Sequence, residues 1–301
     1  MMVVDPINVL YSVIIEQANS VDSALDEWDP VKTDYALEDE VKVAADRKKY
    51  KLAAQSVDAG VVPSENPDIW MASVLTEYAP FDYNNEAAGE FDGDFICVIP
   101  DAYGIDTLFF QDFDGDSITA ELLDVNDEVI DTFTTDIYEW EIENFSSYLF
   151  PKDAVLNFKE QFDFMYINLY KIRITISGAT TKCRYIVPGF KDDLGLTMRK
   201  GIGYSQNNFY TSERDGWGNL IDKPLRMIED ATIPVINENA LINKHTNKTA
   251  RLFGSSKLYI ADDRDKKIAD FPFVNLFGQL ISNNVTPGGH ASTTILKLKG
   301  K

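Results

Sequence analysis

The sequence predicts a mainly β protein, in which a small N-terminal β module is followed by β-sandwich-like domains with few helices. Short runs of β-branched and aromatic residues recur along the chain, and such runs are typical of strands. Turn signals made of Asp, Gly and Asn separate several runs at the spacing of roughly 8–12 residues found in sandwiches. The 301 residues are 45% hydrophobic and 12% aromatic, which is enough for packed cores in two or three modules.

The N-terminal part of the chain changes character near Trp28. Residues 7–26 begin apolar and become polar, which fits either a helix of about four turns or a strand followed by a helix. From Trp28 to Trp70, short β-like pieces lie between turn residues. We therefore expect an N-terminal segment over 1–26 and a small β unit over 27–80.

The rest of the chain is expected to form an acidic β-sandwich domain over 81–190 and a C-terminal β domain over 191–301. Residues 158–170 are aromatic and fit a buried strand. The other strand-like runs of these domains are rich in β-branched and aromatic residues, and they are 95–99, 107–110, 118–123, 129–134, 171–177, 257–260, 273–280 and 293–298.

Charge is distributed very unevenly along the sequence. Residues 52–151 contain 23 acidic residues and no Lys or Arg, whereas the rest of the chain has 26 acidic and 28 basic residues. The formal charge of −21 therefore comes from one contiguous third. Because a one-sign field repels itself and destabilises a compact state, we expect a basic partner surface, bound cations or a salty medium to offset it.

Composition also argues against several classes of partner. The pI of about 4.4 disfavours nucleic acid and anionic membrane surfaces, both of which need basic footprints. No window approaches the ~18 uninterrupted apolar residues of a membrane span. The two cysteines, Cys97 and Cys183, lie in apolar runs without paired Cys or His spacing. This favours buried thiols over a zinc site or a disulfide.

The first module carries a recognisable series of aromatic and turn residues. In order, they are Trp28, Tyr35, Asp39, Val41, Tyr50, Gly60, Pro63, Pro67 and Trp70. Over about 45 residues this series resembles the small β modules with which chitinases and related enzymes bind chitin or cellulose, so 27–80 is a carbohydrate-binding-module-like β unit. Those modules carry exposed tandem aromatics just after the hairpin Tyr, where this chain has Leu52-Ala53-Ala54-Gln55.

Two interpretations of the module's large aromatic residues stay open. Trp28, Tyr35, Tyr50 and Trp70 are candidate carbohydrate-binding residues, because aromatic faces stack on sugar rings. The alternative is that they form the core of a unit too small to expose them.

A second resemblance extends over most of the chain. The module-like unit is followed, in order, by Trp70, Phe81-Asp82, Tyr204-Ser205, residues 215–219 (Asp-Gly-Trp-Gly-Asn), Phe277-Gly278 and Gly300. This order of features is similar to that of a group of structural proteins from tailed-bacteriophage virions. The resemblance implies a non-enzymatic tail, neck or baseplate component, made in the host cytoplasm and located in the virion. Its implied partners are further copies of itself and other virion proteins, with a glycan as an additional candidate.

One acidic loop is a candidate metal site. Asp112, Asp114 and Asp116 alternate around Gly115, and such loops supply oxygen ligands to Ca²⁺. The EF-hand pattern fails because its sixth and twelfth positions are Ser117 and Leu123. Asp92-Gly93-Asp94 is a shorter version. The alternative is a solvated hairpin turn, and no cofactor other than this Ca²⁺ is expected.

The sequence does not predict an enzyme. It contains no nucleophile elbow, Walker loop or metallopeptidase helix, and its two histidines, His245 and His290, lie in unrelated contexts. A glycosidase-like pair of carboxylates is the least favoured alternative, since dense acids meet that spacing by chance. The expected role is assembly, with the acidic third of one copy facing a basic neighbour. Glycan binding is the rival function.

Overall fold

The computed structural model describes residues 1–32, 34–54, 60–84, 88–139, 155–156, 159–164, 169–198, 200–214, 220–261 and 275–301. The fold is mainly β, as the sequence predicts: the described residues form 21 strands, five 3-10 helices and one α-helix, α1 (Ile242–Leu252). In chain order the strands are β1 (Met2–Pro6), β2 (Ile14–Gln17), β3 (Glu40–Val43), β4 (Lys48–Leu52), β5 (Trp70–Val74), β6 (Gly89–Asp92), β7 (Phe95–Ile99), β8 (Thr107–Asp114), β9 (Ser117–Leu123), β10 (Val129–Asp136), β11 (Tyr138–Glu139), β12 (Val155–Leu156), β13 (Lys159–Asp163), β14 (Lys171–Ser177), β15 (Thr180–Asp193), β16 (Leu196–Thr197), β17 (Gly203–Arg214), β18 (Leu220–Glu238), β19 (Ser256–Ile260), β20 (Leu276–Thr286) and β21 (Ala291–Gly300).

The chain divides into two compact units. The central unit is Asn8–Pro188, and the terminal unit combines Met1–Ile7 with Gly189–Lys301. Strand β15 contributes its residues up to Pro188 to the first and its residues from Gly189 to the second. The first seven residues of the chain therefore fold with its last third.

One core of the central unit lies on one face of a five-stranded antiparallel sheet with the order β10-β9-β14-β7-β2. Cross-strand register aligns alternate residues of the three middle strands, so that they form a grid of buried side chains on one face. Its members are Ile118, Ala120 and Leu122 of β9, Ile172, Ile174 and Ile176 of β14, and Phe95, Cys97 and Ile99 of β7. Full burial of a large apolar side chain contributes about 1.5–3 kcal/mol, so this grid is a main source of the unit's stability.

The opposite face of this sheet is polar. Arg173 on β14 lies across from Glu121 on β9, with the charged groups 3.6 Å apart, and it also contacts Glu16 at 3.2 Å. Strands β13, β8 and β15 are neighbours in a second sheet of the unit, where β6 also pairs with β15. This arrangement matches the β-sandwich-like character expected for the acidic domain.

A separate three-stranded sheet, β3-β4-β5, forms the core of the N-terminal module. Its antiparallel register places Val41 opposite Tyr50 and Leu52 opposite Trp70. These four side chains are buried together with Tyr35, so the module has a small aromatic core of its own.

The segment before this module contains no four-turn helix. Residues 8–26 instead form strand β2 and a short 3-10 helix, Val21–Ala24. Asp22 in that helix is buried and accepts hydrogen bonds from Lys49 Nζ of β4 at 2.8 Å, and from the backbone N (2.8 Å) and Oγ1 (2.7 Å) of Thr76. One carboxylate thus joins the N-terminal segment to the middle strand of the module and to the segment that follows β5.

The terminal unit is a long antiparallel sheet with a helix on one face. β1 pairs with β15 on one side and with β19 on the other, and the order continues through β20, β21 and β18. β16 and β17 both pair with β18. Alternate residues of β18 and β21, such as Ile233 and Leu296, are buried in the core.

Helix α1 is held to the terminal unit by its inner side. Leu252 packs against the core of the unit, and Thr249 is buried and accepts a hydrogen bond from Asn283 Nδ2 of β20 at 3.0 Å. The helix has no side-chain cap at its N-terminus. Since short helices are marginal on their own, these packing contacts explain why this sequence is helical here.

Candidate functional site

Three turns bring the acidic loops of the central unit together at one end of the five-stranded sheet. One turn is the Ser177–Thr180 connection between β14 and β15. It contacts the other two turns, which contain Gly93 and Gly115. Asp116 N donates to Ser177 O at 2.6 Å, Gly93 N donates to Ala179 O at 2.9 Å, and Gly178 N donates to Asp94 Oδ1 at 3.0 Å. Asp136, at the end of β10, lies opposite Ser117. We call the carboxylates gathered here the acidic turn end, and they are Asp92, Asp94, Asp114, Asp116 and Asp136.

Backbone geometry explains why glycine separates these acids. Gly115 has φ +151°, and a Cβ at this position would lie 2.8 Å from Ser177 O. Gly93 has φ +91°, a conformation that glycine adopts without steric cost. The Asp-Gly-Asp sequences are therefore explained by tight turns, as the hairpin alternative predicts.

The three candidate calcium ligands have different environments. Asp112 has a positive φ of 52° and pairs with Arg184, with the charged atoms 3.1 Å apart. Asp114 Oδ1 accepts the N–H of Gly115 at 2.9 Å, whereas Asp116 is exposed. Among the residues that the structure describes, no three His, Cys, Asp or Glu side chains form a group that could hold a metal ion.

The candidate carbohydrate-binding residues lie mainly inside the module. Tyr35, Tyr50 and Trp70 are 4%, 2% and 1% exposed, and the Tyr35 and Trp70 rings meet edge to face with centroids 5.6 Å apart. Trp28 is partly buried against the same cluster. Of the two interpretations, this arrangement corresponds to the core of a small module, because a buried ring has no face available for a sugar.

The cysteines are buried, whereas the two histidines lie in unrelated parts of the terminal unit. Cys97 and Cys183 are both free and buried, and burial raises the pKa of each thiol above its ordinary value. Such thiols are poor nucleophiles at neutral pH. His245 lies on α1, and burial together with the neighbouring lysines lowers its pKa. His290 lies in the connection between β20 and β21.

Several of the residues on which the resemblance to phage structural proteins depends have structural roles. Phe277 is fully buried, and Gly278 on β20 lies directly opposite Gly300 on β21. A Cβ on Gly278 would lie 2.8 Å from the Cα of Gly300 and would overlap Lys299 O. Tyr204 donates a hydrogen bond to Glu229 Oε1 at 2.5 Å. Residues 215–219 lie outside the described part of the chain.

Charge follows the division into two units. The central unit contains 36 acidic and 12 basic residues, whereas the terminal unit contains 13 acidic and 16 basic residues. The two units therefore have formal charges of −24 and +3. Each copy of the chain carries one strongly acidic body and one slightly basic body.

Helix α1, whose exposed side carries basic residues, was not predicted from the sequence. The helix contains Lys244, His245, Lys248 and Arg251 and has no acidic residue. The available signal was the spacing of Ile242, His245, Thr249 and Leu252, which places them on one side of a helix. Two of those four residues are polar, so the apolar pattern was weak.

No protein-family model, no curated protein and no solved structure matches the chain. Within the described ranges, no helix has the length and apolar character needed to cross a membrane.

Proposed function

We propose that this chain is a non-enzymatic structural component of a tailed-phage virion, in the tail, neck or baseplate, that assembles through protein–protein contacts. The observation that carries the proposal is the separation of charge between the two units, −24 against +3. A strongly acidic body is costly in isolation because its charges repel one another. Contact with basic surfaces of neighbouring subunits offsets that cost.

Two further features support this role. The order of motifs from Trp28 to Gly300 is similar to that of phage structural proteins, and Gly278 and Gly300 from that series form one cross-strand pair. The candidate carbohydrate-binding rings Tyr35, Tyr50 and Trp70 are buried, which removes the main support for glycan recognition by the module. Assembly is therefore favoured over glycan binding.

The test is to find the protein in particles. Phage particles from a host that expresses the tagged chain would be purified by density gradient, and immunogold labelling would locate the tag. We expect stoichiometric copies per particle and labelling at one position along the tail axis, whereas a tagged, unrelated acidic protein of similar size should stay in the soluble fraction. Recovery of the chain only outside purified particles would contradict the proposal.

A further inference from the structure

The exposed side of helix α1 carries a row of two basic residues with an asparagine between them. Lys244, Asn247 and Arg251 are all exposed and are spaced by three and four residues, which places them on one side of the helix. At 1.5 Å per residue, the row from Lys244 to Arg251 is about 10 Å long. The opposite side of the helix, with Thr249 and Leu252, packs on the unit's core.

The two cations at the ends of this row have no ion-pair partner within the described part of the chain. Lys248, beside them on the helix, is bound to Asp192 at 2.5 Å, but no ion pair is formed there by Lys244 or Arg251. Apolar side chains flank the row, because Leu241 is 43% and Phe253 is 42% exposed. A surface that combines Arg with an exposed aromatic residue has the composition of a protein-binding site.

We propose that this row, which we call the basic helix face, docks on the acidic turn end of a second copy of the chain. Charge complementarity selects this partner. The acidic turn end gathers Asp92, Asp116 and Asp136, whose side chains are exposed, within a unit of charge −24. This inference rests on the proposed assembly function and identifies the partner as the chain itself.

Nucleic acid is the competing anionic partner, and the chain's overall charge disfavours it. Binding to phosphates depends on neutralising several of them with Lys and Arg, whereas the basic helix face offers two cations on a chain of formal charge −21. A second copy does not face this obstacle, because its acidic turn end would meet the unit of the first copy that has a formal charge of +3. A contact between two different surfaces is heterologous, and repetition of such a contact generates a ring or a filament.

Charge reversal with a matched control tests the contact. The variant Lys244→Glu/Arg251→Glu would be compared with Lys297→Glu/Lys299→Glu, which has the same change of net charge on two exposed lysines of β21. Sedimentation velocity over a concentration series would give the association constant of each full-length chain, and circular dichroism would show that each is folded. We expect the association constant of the helix variant to fall at least tenfold, since like charges at a contact are repulsive. The association constant of the β21 variant should fall less than threefold.

A charge-swap experiment then identifies the partner surface. Asp116→Lys/Asp136→Lys should weaken self-association of the chain as the helix variant does. Mixing Asp116→Lys/Asp136→Lys with Lys244→Glu/Arg251→Glu should restore association, because the new lysines of one variant can face the new glutamates of the other. Absence of self-association by the wild type, equal losses in the helix and β21 variants, or no recovery on mixing would each overturn the inference. So would binding of duplex DNA by the wild type that is lost in the helix variant. Labelling of purified particles would still test the proposed function separately.

Discussion

At the scale of single residues, the buried carboxylate of Asp22 connects two parts of the N-terminal region. Its side chain is 3% exposed, and its three hydrogen bonds involve Lys49 and Thr76. A buried carboxylate is tolerated only when it is paired and hydrogen-bonded. Asp22 meets both conditions, and it holds the segment after β2 to the module.

Replacing Asp22 with Ala should lower the free energy of unfolding by about 3 kcal/mol. Removing one partner of a buried pair costs about 3–5 kcal/mol when the other charge stays buried, but the Lys49 side chain is 26% exposed and gains hydration. Chemical denaturation would measure the loss. Glu90→Ala is the matched control, because Glu90 forms an exposed pair with Lys182, and we expect a loss below about 1 kcal/mol. Equal losses in the two variants would contradict this role for Asp22.

The same carboxylate should make stability depend on pH in the acid range. Burial alone would raise the pKa of Asp22, but the Lys49 ammonium and the two Thr76 donors outweigh it and hold the pKa below its ordinary value. Because the pKa is lower in the folded state than the unfolded value of about 3.9, the contribution is fully present above the unfolded pKa. It is lost as pH falls through the folded pKa. The difference in unfolding free energy between wild type and Asp22→Ala should therefore be constant from about pH 7 to 5 and shrink below about pH 4.

At the scale of elements, the hairpin β20–β21 depends on the close approach of two glycines. Gly278 and Gly300 face each other, and any Cβ on Gly278 would overlap Lys299 O. The backbone of one strand therefore occupies the space that a side chain on the other would need. No local sequence pattern indicates this requirement, since the partners are separated by a whole hairpin.

Gly278→Ala should destabilise the terminal unit by about 3 kcal/mol, because the strands must separate to admit the methyl group. Gly289→Ala in the connection of the same hairpin is the control, because a Cβ there meets open space, and it should change stability by less than about 0.5 kcal/mol. Thermal unfolding followed by circular dichroism would measure both. A wild-type-like transition for Gly278→Ala would show that the two strands are not held this closely.

The elements differ in how well the sequence predicted them. Strands β7 and β14 were predicted at their observed bounds, 95–99 and 171–177, because hydrophobic runs between turn residues specify strands locally. Helix α1 was missed because its inner side includes His245 and Thr249. The pairing of β1 with β15 and β19 was not predictable, since it joins residues 183–191 and 254–258 positions apart, respectively.

The candidate site was predictable only in part, because the sequence indicates local structure but not long-range contacts. The Asp-Gly-Asp turns were visible in the sequence as turns. Their gathering at one end of a sheet depends on the bonds from Gly93 and Asp116 to the 177–180 turn, which are long-range. Likewise, the sequence showed the aromatic residues of the module, but only the packing of Tyr35 on Trp70 distinguishes a core from an exposed platform.

At the scale of the whole molecule, charge separation gives salt two opposite effects. Within the central unit, 36 acidic residues against 12 basic ones repel one another, and ions screen that repulsion. If copies associate as proposed, the same ions would weaken the attraction of the acidic unit of one copy to the basic surface of another. Stability of the folded chain and its self-association should therefore respond to salt in opposite directions.

Raising NaCl from about 20 mM to 500 mM should shorten the screening length from roughly 20 Å to 4 Å. We expect the thermal transition of the dilute chain to rise by several degrees, while sedimentation shows its oligomers dissociating toward monomer. Sodium sulfate at equal ionic strength is the control that separates screening from preferential exclusion of salt, which favours burial in general. A transition temperature and an oligomeric state that rise together with NaCl would mean that apolar contacts, not charge, hold the copies together.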